Sequence, residues 1–351
     1  MSLQQTHLAP PIVTSTSVAD WASIANASSA LPEQTPEWIE AMCVAATYAD
    51  ASRTYRFADG RRYVLPLVRR RGLPLRLTRL WSYPNAWGFG GPVGDELDPI
   101  VVDHIVDDLG SLGVAGISIR INPTDEAAWR HTETSGSKIR IPRVAHIAEL
   151  KGDPAAHLAG LSQQTRYSIR KAARRGVCLE IGAGGELLED HYELFLKSVA
   201  RWAERQREPL VLARHRAVRR DPLPKLAGIA AHLGDRFRVV VGYVDDRPAA
   251  SAIILLGSTT RYTRGAIDSD LVRGTNASEA VHWRALEAAY EHGATWYNMG
   301  ETGAGTGLAR FKERFGAVAH AYGEYRMERL PISTVDRVGR RAIKRLVGFK
   351  D

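Results

Sequence analysis

The segment that decides the fold is Arg273–Gly323, which reads RGTNASEAVHWRALEAAYEHGATWYNMGETGAGTGLARFKERFGAVAHAYG. It predicts a turn, an amphipathic helix, a short strand ending at Gly300, a glycine-rich loop, a basic segment and a returning strand. The pair Phe311-Lys312 follows the glycine-rich loop closely. Glycines let backbone N–H groups approach an anion, and a neighbouring lysine adds a compact positive charge. The segment therefore predicts a site for phosphate or a developing oxyanion, with a flexible loop before a solvated basic helix as the alternative.

The composition is that of a globular, cytoplasmic protein. A chain of 351 residues with 44% hydrophobic content predicts two domains of ordinary size. No apolar run approaches the roughly 18–20 residues of a membrane span, and the N-terminus lacks the pattern of a secretory signal. Cys43 and Cys178 lie far apart, and the histidines never fall at metal-ligand spacing, so we expect no metal site. Neither G-x-S-x-G nor G-x-G-x-x-G occurs, which argues against common hydrolases and dehydrogenases.

The positive charge of the chain is concentrated in its second half. Residues 1–150 contain 14 Lys and Arg against 16 Asp and Glu, whereas residues 151–351 contain 33 against 23. Such asymmetry favours a polyanionic partner for the second half: nucleic acid, nucleotide phosphates or an anionic membrane face. A basic chain can also serve solubility alone.

The order of predicted elements repeats. Each half runs through a helix, antiparallel strands, a helix and a strand, which predicts a duplicated α+β unit. In the first half, a helix begins at Pro36, Asp59-Gly60 turns a hairpin, and Asp98 caps a second helix. In the second half, a basic loop is expected at 207–220. The predicted organisation is a loosely ordered N-terminus (1–18), a first domain (19–150), a second domain (151–330) and a basic, amphipathic C-terminal helix (331–351).

Two basic helices are candidate binding surfaces. Arg166, Arg170 and Arg174 are spaced at i, i+4 and i+8 and share one helix face, with Lys171 alongside. A phosphate backbone would compensate this charge, and the alternative is a solvated face paired with acids elsewhere. The C-terminal helix could bind RNA, lie on an anionic membrane or simply dock on the fold.

The segment Tyr83–Val93 mixes aromatic residues with glycines, as ligand-lining loops do. Tyr83 and Trp87 are therefore candidate substrate contacts, and a packed turn between strands is the alternative.

Arg273–Ser278 opens a helix, where backbone donors favour an anion. The coenzyme A pyrophosphate loop of N-acetyltransferases carries Arg/Gln-x-x-Gly-x-Gly/Ala. Arg273 fits this pattern, but Asn276 and Ser278 stand at the two glycine positions. The pattern therefore favours a donor other than coenzyme A. Alternatively, Thr275 caps the helix and no ligand binds there.

Taken together, these segments resemble the Fem-type (FemABX) peptidyltransferases over roughly residues 30–330. The resemblance rests on motifs that are specific only as a set: Leu161, Thr165-Arg166, Ile169–Ala172, Gly176-Val177, Gly274–Asn276, Trp283, Ala294, Tyr297–Gly300, Phe311-Lys312, Phe315-Gly316 and the N-terminal Gly90–Val93. The long coiled-coil arm of some members is absent, and no basic residue precedes Gly91-Pro92.

The resemblance implies two tandem GNAT-like (acyl-CoA N-acyltransferase-like) domains, each a mixed, mainly antiparallel sheet flanked by helices. It also implies transfer of an amino acid from aminoacyl-tRNA to an amine of a small peptide or similar acceptor, without a cofactor. Lys312 would stabilise charge at the transferred ester beside Phe311. Positions that meet acceptor phosphates would fall near Arg205, Arg214 and Tyr262.

Aminolysis of an ester needs proximity and stabilised oxyanion charge more than a strong nucleophile. Asp95 and Glu301 are the nearest candidate bases, and a phosphate or carboxylate of the substrate could take the proton instead. Two other readings stay open: an N-acyltransferase that uses acyl-CoA or an acyl carrier, and a non-catalytic RNA- or membrane-binding protein.

Overall fold

The computed structural model describes residues 8–28, 30–83, 87–134, 138–303 and 305–329. Within this part, the chain forms two compact units. The first contains the residues up to Val144 and the stretch from His320 onward, and the second contains Ala145–Ala319. The sequence-based division at 150/151 falls six residues beyond this change of unit. The end of the predicted second domain, from His320 onward, lies in the first unit.

The elements up to the change of unit are mostly short. In chain order they are β1 (Ile12–Ser15), α1 (Val18–Ala27), α2 (Pro36–Ala45), β2 (Tyr48–Asp50), β3 (Arg53–Arg56), β4 (Arg62–Leu65), β5 (Val68–Arg70), β6 (Arg79–Trp81), β7 (Val93–Gly94), α3 (Pro99–Ser111), β8 (Gly116–Arg120), α4 (Glu126–Trp129) and β9 (Lys138–Glu149).

The elements that follow are longer. They are α5 (Pro154–Gly160), α6 (Gln163–Arg174), β10 (Cys178–Ala183), α7 (Leu188–Gln206), α8 (Leu210–Arg220), α9 (Leu223–Leu233), β11 (Phe237–Val244), β12 (Arg247–Leu255), β13 (Thr259–Ile267), α10 (Ser269–Val272), α11 (Ala277–Glu291), β14 (Trp296–Glu301), α12 (Gly307–Glu313) and β15 (Val318–Glu328).

The first unit contains two sets of paired strands. One sheet has the order β1-β3-β4-β7, and a second runs β15-β8-β6-β5-β2, antiparallel except for the β6–β8 pair. The N-terminal segment, expected to be loosely ordered, contributes residues 12–15 to the first sheet as β1. Helix α3 begins as predicted, since the Asp98 side chain accepts a hydrogen bond from the Val101 N–H and Pro99 occupies its first turn.

The turn at Gly90–Val93 is held by a buried glutamine. Gln34 Nε2 lies 3.2 Å from the carbonyl oxygens of Gly90, Gly91 and Pro92, and its Oε1 accepts from the Leu31 N–H. A Cβ at Gly90 would lie 2.2 Å from the carbonyl oxygen of Ser82. This glycine is therefore required by close packing of backbone on backbone.

The second unit is built on one mixed sheet with the order β10-β11-β12-β13-β14-β9, to which β9 contributes residues 145–149. Its pairs are antiparallel, except that β13 and β14 run parallel. Strand β12 is buried from Ala249 to Leu255, as expected for a central strand covered on both faces. Helix α11 packs on β11 and β12 through alanines and Leu286, which join the core of this unit.

Local signals in the second half are mostly confirmed. Asp245 and Asp246 both adopt positive φ (49° and 56°), which is the conformation of a tight hairpin between β11 and β12. The predicted basic loop at 207–220 is wrong, because Leu210–Arg220 forms α8 after Pro209. Its buried face consists of Ala213 and Ala217, and so small a stripe gives little hydrophobic periodicity to detect.

The α+β class and the mixed, mainly antiparallel sheets flanked by helices are confirmed. The predicted C-terminal helix (331–351) lies outside the described residues. Across the ranges that are described, no helix has both the length and the apolar character needed to cross a membrane.

We expect Gly90→Ala to lower the midpoint of thermal or urea unfolding by an amount equivalent to about 1–3 kcal/mol, because the new methyl group meets a backbone oxygen. Gly110→Ala is the matched control, since Gly110 lies in α3 with no atom within 4 Å of its added Cβ. It should be neutral or stabilising by about 0.5–1 kcal/mol. Equal midpoints for the two variants would contradict the packing role of Gly90.

Candidate active site

The central feature of the second unit is a pair of parallel strands that diverge. Strand β13 pairs with β14 only through Thr259–Trp296, Thr260–Tyr297 and Arg261–Asn298, although β13 continues to Ile267. The strands therefore share hydrogen bonds at one end and separate at the other. Beyond Arg261, the β13 backbone has no pairing with β14 and can form the wall of a cavity on that side.

The separation coincides with a bulge in β14. Its register with β9 shifts between Asn298 and Glu301, and Gly300 lies at a φ of +79°, which favours glycine. The Asn298 side-chain oxygen accepts hydrogen bonds from the Gly300 N–H (2.8 Å) and from Arg261 Nη1 (3.0 Å). The bulge turns the carbonyl groups of Gly300 and Glu301 toward α12.

The Lys312 side chain binds the backbone of this bulge. Its Nζ donates to the carbonyl oxygens of Gly300 (3.0 Å) and Glu301 (3.1 Å) and to the hydroxyl of Thr302. The side chain is buried, with 3% of the residue exposed. All three protons of the ammonium group therefore have an acceptor, and the charge lies where β14 ends.

Burial, and then the guanidinium of Arg261, lower the pKa of Lys312 to about 7 against the opposing effect of the Glu301 carboxylate. The charged form is thus costly at this position even though its hydrogen bonds are satisfied. When Lys312 is protonated, it and Arg261 make the end of β14 a positively charged region with little access to water.

A cavity of about 510 Å³ lies beside this charge, entirely within the second unit. Its walls come from the far half of β13, the first half of α11, and residues of α7, β12 and α12. Aromatic and aliphatic side chains dominate, and a few polar groups converge on the space: Arg201, Ser251, Tyr262, Asn276, Glu279 and His282. This combination is typical of small-molecule sites.

His282 and Tyr262 form one wall of the cavity together. Their ring centroids are 4.8 Å apart, and His282 lies equally close to Phe311. A Cβ at Gly265 would fall 1.8 Å from the Tyr262 hydroxyl, so this glycine makes room for the phenol. Burial and the nearby Lys312 lower the pKa of His282 to about 3, which keeps the imidazole neutral.

Three predicted site residues of the second unit line this cavity: Phe311, Tyr262 and Asn276. Lys312 lies behind Phe311, and Glu301 contributes its carbonyl oxygen to the lysine. Arg205 and Arg214 instead lie exposed on α7 and α8, away from the cavity walls.

The predicted site residues of the first unit divide differently. Trp87 is buried against Trp38, and Tyr83 is buried beneath the guanidinium of Arg120, 4.2 Å from its ring centre. Both side chains thus follow the packed-turn alternative. Asp95 is exposed and lines a separate cavity of about 380 Å³, and its Oδ2 accepts from the Arg62 N–H.

The basic helix α6 is present, but its arginines differ in role. Arg166 Nη1 donates to the carbonyl oxygens of Ala159 and Leu161, so this guanidinium holds the turn before the helix. Arg170 and Arg174 are exposed, and Arg174 lies over the Tyr167 ring. Lys171 is half-buried beside them.

The structure at the start of α11 shows that one alternative, a cap by Thr275, is wrong. Thr275 does not cap the helix, because its hydroxyl donates back to the Leu271 carbonyl. Asn276 occupies the cap position at a φ of +60° without a side-chain capping bond.

The sequence patterns did not point to His282, Arg261 or Asn298 as site residues, and only the Asn-Met-Gly sequence before the loop indicated the bulge. Within the described residues, no group of three or more His, Cys, Asp or Glu is placed to hold a metal ion.

Comparison with known proteins defines the fold. Residues 149–313 match the family described as an acetyltransferase (GNAT) domain. The solved structure of FemX aligns with a TM-score of 0.63 at 12% identity, covering 92% of this chain and 99% of FemX. The chain has a Fem-like, GNAT-type fold. The predicted resemblance is confirmed at this level.

Two further structures share the Fem-like fold. A C-terminal domain (DUF2156) assigned to a lysylphosphatidylglycerol synthetase of Agrobacterium fabrum aligns with a TM-score of 0.51 at 14% identity, covering 91% of this chain and 95% of that one. L-PGS from Bacillus licheniformis aligns with a TM-score of 0.50 at 13% identity, covering 94% and 96%. No curated protein matches the chain significantly in sequence. At these identities the shared property is the fold.

The buried charge of Lys312 predicts a pH dependence of stability. The unfolded lysine keeps its proton up to about pH 10.4, whereas the folded one loses it above about pH 7. Between these values the unfolded state binds more protons, so stability rises with pH, by at most about 1.4 kcal/mol per pH unit. We expect the free energy of unfolding of the native chain to rise between pH 7 and 9 relative to Lys312→Met. Parallel pH profiles for the two proteins would contradict the lowered pKa.

Proposed function

We propose that the protein is an acyltransferase that moves an amino acid from aminoacyl-tRNA to the amine of a peptide or peptide-like acceptor. The observation that carries the proposal is the buried Lys312, held where β13 and β14 diverge and next to a cavity of substrate size. The Fem-like fold over nearly the whole chain and the exposed cations of α6 support it.

The reaction is an aminolysis. The acceptor nitrogen attacks the ester carbonyl of the aminoacyl group, the C–N bond forms, and the bond from carbon to the ribose oxygen breaks. The acceptor nitrogen loses a proton, and the departing ribose hydroxyl gains one. Negative charge develops on the carbonyl oxygen on the way, so a fixed positive charge in a dry site lowers the barrier.

Lys312 supplies that charge from behind Phe311. Because the three protons of its charged form are already bound, we assign protonated Lys312 an electrostatic role rather than a direct contact with the substrate. The carbonyl groups that hold it fix its position before substrate arrives. The structure offers His282 as a neutral group in the same wall, and its low pKa makes it a poor proton acceptor for this step.

The donor distinguishes this proposal from its runner-up. Asn276 and Ser278 replace the two glycines of a coenzyme A pyrophosphate loop, and Asn276 already occupies the backbone conformation that favours glycine. Acyl-CoA-dependent N-acylation is the second candidate, favoured by the match of residues 149–313 to the acetyltransferase domain family.

The proposal can be tested with tRNA charged with radiolabelled amino acids and a small-molecule fraction of cells that carry the gene. We expect label to move from tRNA into amide products, identified by mass spectrometry, and ribonuclease treatment to abolish the transfer. Release of free coenzyme A thiol from acyl-CoA, unaffected by ribonuclease, would favour the runner-up instead.

Substitution of Lys312 tests its role in the transfer. We expect Lys312→Met to lower kcat by about 10²- to 10³-fold, since loss of a single group that stabilises an oxyanion costs about 2.7–4 kcal/mol. Arg310→Met is the matched control, because Arg310 is an exposed cation on the same short helix. It should keep near-normal turnover. Circular dichroism checks that both variants are folded, and near-normal turnover of folded Lys312→Met would remove Lys312 from the mechanism.

A further inference from the structure

The cavity of the second unit contains polar groups that neither folding nor Lys312 explains. The side-chain amide of Asn276, the imidazole of His282 and the hydroxyl of Tyr262 line it, and none of them makes a hydrogen bond to a described residue. For Asn276 and His282 this includes a side-chain atom that is shielded from solvent, the Oδ1 and the Nδ1 respectively. Polar atoms left without partners in a protein interior are costly, and a ligand toward which these side chains turn would supply the missing hydrogen bonds.

The cavity wall also carries a negatively charged side chain, Glu279. Glu279 lies one turn after Asn276 on α11, its side chain is 15% exposed, and it faces the space together with that amide. Its ion-pair partner is Arg314 at 3.6 Å, beyond the distance of a good hydrogen bond. The backbone N–H groups at this end of α11 favour an anion. The Glu279 carboxylate and the Asn276 amide oxygen oppose them as acceptors for a small cation.

The aromatic rings make the same prediction. Trp202, Tyr262 and Phe311 line the cavity, Trp202 with 41% of its surface exposed, and aromatic ring faces attract a cation. His282 does not oppose this, because its imidazole is neutral and can accept a hydrogen bond. Arg201 is the cation in the wall, and its guanidinium is engaged by the Ile267 carbonyl and the Ser198 hydroxyl on the α7 side.

We propose that this cavity recognises the free α-ammonium group of the aminoacyl donor through Asn276 and Glu279, with the aromatic rings around it. The inference rests on the proposed function, since it names the part of the donor that the cavity reads. Such recognition makes the enzyme selective for an aminoacyl donor with a free amine over the same donor with a blocked amine. An N-acylated donor loses the positive charge and adds an acyl group where the acceptors converge.

Binding can be measured apart from chemistry with three RNA probes of the same sequence, each an acceptor-stem helix with a fluorescent label. One carries alanine at its 3′ end through a stable amide, the second carries N-acetylalanine in the same linkage, and the third is uncharged. Fluorescence anisotropy at pH 6.5, where an α-amine with a pKa near 7.7–8.0 is protonated, gives the dissociation constants with the full-length chain.

We expect the native chain to bind alanyl-RNA about tenfold more tightly than N-acetylalanyl-RNA, as is typical for hydrogen bonds to a charged group. Glu279→Gln and Asn276→Ala should each reduce this ratio several-fold and leave the affinity for uncharged RNA unchanged. Glu291→Gln is the matched control, because Glu291 is an acid on the same helix whose side chain is 60% exposed and lies outside the cavity. It should keep the native ratio.

The outcomes separate the two levels of inference. Equal affinity of the native chain for the two acylated RNAs, both above that for uncharged RNA, would overturn recognition of the ammonium group and leave the donor class intact. The same affinity for all three probes would overturn the use of an aminoacyl donor itself. If Asn276→Ala fails to fold, Glu279→Gln decides alone, and an unchanged ratio in that variant overturns the proposal.

Discussion

The site of the second unit depends on one buried ammonium group that satisfies the end of an interrupted strand. Parallel strands normally stay paired along their length, whereas β13 and β14 separate after three residue pairs. The carbonyl groups of Gly300 and Glu301 lie where the strands separate, and buried carbonyl groups need donors. Lys312 donates to both, so the same contact that completes the backbone also places a positive charge beside the cavity.

This arrangement holds two cationic side chains, Arg261 and Lys312, in a buried region. Arg261 holds Asn298 on one side of the bulge, Lys312 holds the carbonyl groups on the other, and burial disfavours both charges. The electrostatic cost of these buried positive charges is lower when a negative charge develops nearby, as it does in a transfer reaction through an oxyanion. A site of this kind stabilises the transition state more than the ground state, because the compensating charge exists only during the reaction.

The sequence predicted the parts of the site that depend on local pattern. Phe311-Lys312 and the strand ending at Gly300 were found because a glycine-rich loop and a basic segment follow one another directly. The position of Lys312 Nζ was not predictable, since it depends on a bulge set by pairing between β14 and β9, which are far apart in sequence. His282 was missed because a single histidine within an alanine-rich helix has no spacing signal. Tyr83 and Trp87 are buried as the packed-turn alternative predicts, because glycines next to aromatic rings also occur in a tightly packed turn.

Two positions at the start of α11 bear on the donor in the proposed function. In a GNAT-type site, a pyrophosphate loop needs backbone N–H groups that are open to an anion, and side chains at these positions restrict access. Here Asn276 takes the left-handed backbone conformation of a glycine but adds an amide that faces the cavity. The substitution thus converts a position suited to backbone contact with phosphate into one that presents a side-chain acceptor. The first turn of α11 by itself favours an anion, and the Glu279 carboxylate one turn further along opposes that preference. Under the proposed function, a donor with a free amine fits these two acceptors better than coenzyme A does.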